Sequence, residues 1–110
     1  MAASYDLKTT SDSQFMFNLK AGNGEVILTS ERYKAKASAL NGIESVRTNS
    51  PDDGRYDRRT STSSQPYFVL KAANGEIIGK SEMYSSSQAM ENGIESVKRN
   101  GPNAELKDNT

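Results

Sequence analysis

The chain of 110 residues contains no cysteine, no histidine and no tryptophan. Without cysteine, disulfide frameworks, thiolate nucleophiles, thiolate-bound zinc and iron–sulfur clusters are excluded together. Without histidine, imidazole acid–base chemistry and most transition-metal sites go as well, and no metal site or cofactor is expected. An excess of one charge is also missing, because 14 basic side chains balance 14 acidic ones. The balance is local too: six basic and five acidic groups in residues 1–51, three of each in 52–65, five and six in 66–110. Non-specific nucleic-acid binding neutralises many phosphates with surplus Lys and Arg, so this composition argues against it. No apolar run approaches the roughly 20 residues of a membrane-spanning helix, and no membrane association is expected. Met1-Ala2-Ala3-Ser4-Tyr5-Asp6 offers neither a basic nor an apolar targeting region, so the expectation is a cytoplasmic protein. Carboxylates, amines, hydroxyls and backbone remain for any chemistry.

What the chain does have is repetition. Shifted by 51 residues, positions 15–51 align without a gap to 66–102, and 19 of these 37 positions are identical. The register extends upstream, since Tyr5-Asp6 matches Tyr56-Asp57 and Ser13-Gln14 matches Ser64-Gln65. Self-similarity over this length marks one supersecondary unit used twice. The expected organisation is a single domain, 1–110, made of repeats at about 5–51 and 56–102 with a further strand near 104–108.

Within each unit the pattern changes from strand to helix. Phe15, Phe17, Leu19 and Ala21 alternate with Met16, Asn18 and Lys20, as in a strand with one buried face. Asn23-Gly24 and Asn74-Gly75 suit a two-residue type I′ hairpin turn. That turn pairs Ala21 with Val26 and Leu19 with Leu28, placing Val26 inward and Ile27 outward with Asn18 and Lys20. From Ala35 to Thr48, Ala39, Leu40, Ile43 and Val46 form a helical stripe, repeated by Met90, Ile94 and Val97. Ser85 and Gln88 make a capping box for the second helix, whereas Lys34 at the matching position is a poor cap. Gly42 and Gly93 fall inside the stripes and signal either close helix-to-sheet contact or a helix break. Leu28 with Ala39 in one copy becomes Gly79 with Met90 in the other, a volume-conserving exchange if these residues touch. The fold class that follows is α+β: two tandem β-β-β-α(-β) repeats in one mainly antiparallel sheet, with two helices on one face.

Phe-x-Leu-Lys-Ala-x-Asn-Gly-Glu-x-Ile, Ser-Glu-x-Tyr and Gly-Ile-Glu-Ser-Val-x-x-Asn each occur twice. Together they resemble the YegP-like family of small bacterial proteins over nearly the whole chain, including Lys107-Asp108-Asn109-Thr110. The resemblance implies tandem motifs merging into one sheet with C-terminal strands exchanged between halves, an internal counterpart of a dimer, and hence a monomeric chain. It implies no catalytic residues.

Three sets of residues are candidates for function. Met16, Ile27, Tyr67, Val69 and Ile78 are assigned to the helix-free sheet face, where an uncovered apolar patch would mark a protein-binding surface. This is the leading reading: a small non-catalytic interaction module. Arg55, Tyr56, Arg58 and Arg59 are an alternative, contacting RNA or single-stranded DNA by stacking and phosphate pairing, although Asp52, Asp53 and Asp57 among them cancel their charge. The duplicated carboxylates Glu25 and Glu76, Glu31 and Glu82, Glu44 and Glu95 assemble no nucleophile, base and orienting group, so no catalytic residue is assigned. Gly22-Asn23-Gly24 follows a strand without opening a helix and fails as a phosphate loop.

Overall fold

The computed structural model of the protein describes residues 2–110. Each repeat begins with three strands and closes with a helix. The first contributes β1 (Ser4–Thr9), β2 (Phe15–Lys20), β3 (Val26–Thr29) and α1 (Lys36–Asn49). A 3₁₀ turn, Asp53–Arg55, leads into β4 (Tyr56–Thr60), followed by β5 (Pro66–Lys71), β6 (Ile77–Lys80), α2 (Ser87–Asn100) and β7 (Glu105–Asn109). The seven strands form one mixed sheet in the order β4-β5-β6-β3-β2-β1-β7. Its neighbours are antiparallel except β7, which lies parallel to β1. The α+β architecture therefore stands as read from the sequence, and the last strand of the second half returns to the first half.

The alternation in β2 and β5 explains this layering. Phe17, Leu19, Phe68 and Leu70 are fully buried beneath the helices. Tyr5, Phe17 and Tyr33 form a ring row, with centroids 5.9 and 6.4 Å apart, and Tyr56, Phe68 and Tyr84 repeat it at 5.7 and 6.3 Å. Both helices run unbroken through their glycines. A β-carbon at Gly42 would stand 2.6 Å from Tyr33 Oη, and one at Gly93 would stand 2.7 Å from Tyr84 Cζ. The glycines are there for close contact with these tyrosines.

The halves are related by a pseudo-two-fold axis. Thr29 pairs with Lys80, its own equivalent 51 positions on, so the axis passes between β3 and β6. Next to it Leu28 meets its own equivalent: a β-carbon on Gly79 would lie 2.6 Å from Leu28 Cδ2. Leu28 thus fills, across the axis, the space that Gly79 leaves, whereas the exchange read from the sequence set each against a helix residue of its own copy, Ala39 and Met90. The interlock is reciprocal. Helix α1 rests on β2 and on β5 and β6 of the other half, while α2 rests on β5 and on β3. Tyr5 Oη donates to the Gly101 carbonyl at the end of α2 (2.6 Å), and Tyr56 Oη donates to the Ser50 carbonyl at the end of α1 (2.7 Å).

Three local expectations need correction. The hairpin loop has three residues, not two: Gly24 N–H donates to the Ala21 carbonyl and Ala21 N–H to the Glu25 carbonyl, both at 2.9 Å. Only the glycine is left-handed, with φ of 86° at Gly24 and 88° at Gly75; this is a glycine bulge rather than a type I′ turn. A second bulge follows, because Lys20 opposes Val26 whereas Leu19 opposes Leu28, leaving Ile27 as the extra residue. The two irregularities cancel beyond Leu28, but between them Val26 and Ile27 change faces. The second copy does the same, with Lys71 opposite Ile77 and Leu70 opposite Gly79. Ile27 and Ile78 are therefore core residues, 6% and 7% exposed. Finally, the cap of α2 is Ser86, whose hydroxyl accepts from Ala89 N–H at 3.1 Å, not Ser85. The matching Ala35 supplies no side-chain cap to α1.

Candidate functional site

The helix-free face of the sheet has a groove at its centre. Strands β3 and β6 have four residues each and are joined by the single pair Thr29–Lys80, so they diverge on either side of it. The opening, of about 440 Å³, is lined by Val26 and Ile77, by Thr29 and Lys80, and by Glu31 and Glu82 beyond the strand ends, together with Ser30, Gly79 and Ser81. Val26 and Ile77 are 36% and 42% exposed. They are the residues the second bulge turns outward.

The polar lining divides into fixed and free groups. Ser30 Oγ accepts from Phe17 N–H at 2.9 Å and donates to the Glu31 carbonyl at 2.7 Å, and Ser81 Oγ does the same with Phe68 and Glu82 at 2.9 and 2.8 Å. These hydroxyls are committed to holding the strand exits. Lys80 Nζ is drawn to the Tyr67 ring, 5.2 Å from its centroid. On the opposite face, under the helices, burial and then the carboxylates of Glu31 and Glu76 push the Tyr33 hydroxyl up from its ordinary pKa; for Tyr84 the causes are burial, Glu82 and Glu25. Both phenols stay protonated at neutral pH. The groove is thus an apolar floor with one cation near the axis and acidic side chains at both exits.

The residues singled out from the sequence fare differently. Met16, Tyr67 and Val69 do belong to this face, in register with Lys8, Arg59 and Asp57. Val69 is only 2% exposed, lying in the ladder between Asp57 and Lys80. Met16 and Tyr67 are half-buried. Ile27 and Ile78 are on the other face, in the core, and Ile78 borders the same hollow as Tyr33 and Gly42. The apolar pair that the face does present, Val26 and Ile77, was missed because its visibility depends on the bulge.

The arginine cluster is neutralised in place. Arg55 Nε donates to Asn49 Oδ1 at 3.0 Å and lies 3.7 Å from Asp52. Arg58 donates to both oxygens of Glu91, at 2.6 and 3.0 Å, and to Asp53 at 3.1 Å. These hydrogen bonds, Glu91 first, raise its pKa further. Arg59 is 2.9 Å from Asp57. The Tyr56 ring is buried against Phe68, so it presents no face on which a base could stack. Glu44 and Glu95 pair with Arg47 and Lys98 one helical turn on, at 3.2 and 3.5 Å. Among the described residues no group of three or more acidic side chains is placed to hold a metal ion, and no helix is long and apolar enough to cross a membrane.

Comparison with known proteins agrees with this duplicated architecture. The family model described as "Domain of unknown function (DUF1508)" matches residues 11–57 and again residues 61–108. The UPF0339 protein YegP of Escherichia coli O157:H7 is 57% identical over 110 residues, which is the full length of both chains. A UPF0339 protein of Acinetobacter baylyi is 56% identical over all of this chain and 99% of its own. The solution structure of a UPF0339 protein from Shewanella oneidensis superposes with a TM-score of 0.92 at 56% identity, covering 98% of this chain and 92% of that one. That of yegP from E. coli, described as a protein of unknown function, gives 0.94 at 55% identity, covering 100% and 95%. With its two matches spanning both repeats, and relatives aligned end to end, the chain belongs to the DUF1508 family as a tandem member.

Proposed function

We propose that this protein is a small, non-catalytic binding module that recognises another protein through the helix-free face of its sheet, with the groove between β3 and β6 as the centre of the surface. The observation that carries this reading is the pair Val26 and Ile77, turned outward in both repeats and left half-exposed over the groove of about 440 Å³. An open apolar floor of this kind gains by burial, at roughly 25 cal/mol per Å² removed from water. Acidic exits at Glu31 and Glu82 favour a partner with basic residues flanking an apolar anchor. The reading takes the chain to act as a cytoplasmic monomer, its repeats serving as an internal dimer. The nucleic-acid alternative loses its support because Asp52, Asp53, Asp57 and Glu91 balance the charge of Arg55, Arg58 and Arg59 and leave no cationic surplus for phosphates.

The test uses the isotope-labelled chain titrated with fractions of a cell lysate, next to the double variant Val26→Lys, Ile77→Lys. Both substitutions are at exposed positions and should leave the melting curve near that of the wild type. Shift changes centred on Val26, Thr29, Ile77 and Lys80, absent in the variant, are expected. Changes confined to α1 and α2, or undiminished in the variant, would reject the reading.

A further inference from the structure

The pseudo-two-fold axis pairs β1 with β4, but the two strands end differently. The outer edge of β1 carries β7, whereas β4 is the last strand at its end of the sheet. The edge that is filled in one half is open in the other. We propose that the free edge of β4 receives an extended segment of a partner protein, added parallel to β4 as an eighth strand and bearing the acidic–apolar–basic–acidic pattern of Glu105-Leu106-Lys107-Asp108.

The chain itself supplies the template. Beside β1, the register is Ser4 with Glu105, Tyr5 with Leu106, Asp6 with Lys107 and Leu7 with Asp108. Moved by 51 residues, the same register sets an acidic residue by Arg55, an apolar one by Tyr56, a basic one by Asp57 and an acidic one by Arg58. Three of these four positions then oppose unlike charges, where only Asp6 and Lys107 do so in the filled half. The carboxylates match as well. Asp6 lies 3.3 Å from Lys20 and accepts from Asn109 Nδ2 at 2.6 Å. Asp57 lies 3.4 Å from the equivalent Lys71 and accepts from Arg59 Nε at 2.9 Å, with no neighbouring strand on that side among the described residues. Neighbouring strands of a sheet satisfy one another's backbone groups, and side-chain charge then selects which strand is accepted.

A second copy of the chain could offer its own β7 to this edge only by detaching it from β1. Charged side chains along an edge, here Asp57, Arg58 and Arg59, oppose indiscriminate pairing. The chain's own β7 is tied to β1, to Ala3 through Glu105 N–H at 3.1 Å and to Lys36 through Asp108. Tethered segments compete at a high effective concentration, so β7 remains at home and β4 stays free for another protein. The ion pairs of Arg55 and Arg59 are single exposed contacts that re-pair at little cost, while Arg58 keeps its two bonds to Glu91 and takes a further acidic neighbour. This edge is distinct from the central groove, and its test does not depend on that groove.

The experiment titrates the labelled full-length chain with a peptide spanning Asn103–Thr110, up to millimolar concentration, and with the same peptide carrying Glu105→Lys, Lys107→Glu and Asp108→Lys. Saturable shift changes confined to Asp53–Thr60 and the adjoining β5 are expected, with the reversed peptide weaker by about tenfold or more. Four results would overturn the proposal: no change at β4, equal binding of both peptides, changes at β1 and β7 instead, or β4 shifts that depend on the concentration of the chain alone, which would make a second copy the occupant.

Discussion

Gly42 lies in the middle of α1, where alanine ordinarily favours the helix by about 1 kcal/mol. In this protein the added carbon would meet Tyr33 Oη at 2.6 Å and Phe17 Cε2 at 3.1 Å, both held in the stacked ring pair. Overpacking of a fitted contact costs about 1–3 kcal/mol. Gly42→Ala is therefore expected to lower stability by about 1 kcal/mol net, and Tyr33→Phe in the same chain to recover part of the loss, read from urea midpoints. Ser50 makes the opposite case. Its hydroxyl is buried against Gly101 with no hydrogen-bond partner among the described residues. Since a buried unpaired polar group is itself destabilising, Ser50→Ala should raise stability by about 1 kcal/mol in the same assay.

Among the elements, β7 is the one held mainly by polar contacts, since all five of its residues are exposed. The hydrogen bond from Lys36 to Asp108, followed by those from Thr110, holds the carboxyl well below its ordinary value, at about 2. A folded-state pKa depressed in this way stabilises the folded form above the unfolded value and loses that contribution as pH falls through the folded one. Attachment of β7 should then weaken between about pH 4 and pH 2. Amides of residues 105–109, corrected for intrinsic exchange, are expected to lose protection at pH 2.5 relative to pH 5 by more than those of β2 and β5. Lys36→Ala should remove most of that difference.

The alternation of Phe17 and Leu19, the stripe of Ile43 and Val46, and the second occurrence of each made strands, helices and duplication legible, because burial on one face leaves a period. The bulge that swaps Val26 with Ile27 leaves no such mark. It needs no glycine or proline, and Asn-Gly serves a three-residue loop as readily as a two-residue one. Because both apolar residues look alike in a pattern, the alternation alone points outward one position too late, at Ile27 and Ile78. Three consecutive serines, Ser85 to Ser87, likewise leave the capping residue undetermined until the helix start is seen. Tyr67 and Val69 lie on the face their alternation indicates, but the cover over Val69 comes from neighbouring strands and cannot be read along one.

The decisive contacts of the fold run between its halves. Tyr5 and Tyr56 each secure the end of the other half's helix, and each helix covers strands of both. Residues 1–51 and 52–110 produced separately are expected to show poor NMR dispersion and no cooperative melting as monomers, and to regain both on mixing. A well-dispersed monomeric spectrum from either piece would refute this.

Positions on the symmetry axis have a consequence for how such a chain can change. Leu28 and Gly79 occupy one shared volume that an undivided pair of twins would have to fill with the same side chain taken twice. A gene joining two identical first halves would force two leucines into that space, and one joining two identical second halves would leave it empty. Once fused, the copies are free to become unlike at the very points where they meet, and having become unlike, neither can any longer stand in for the other.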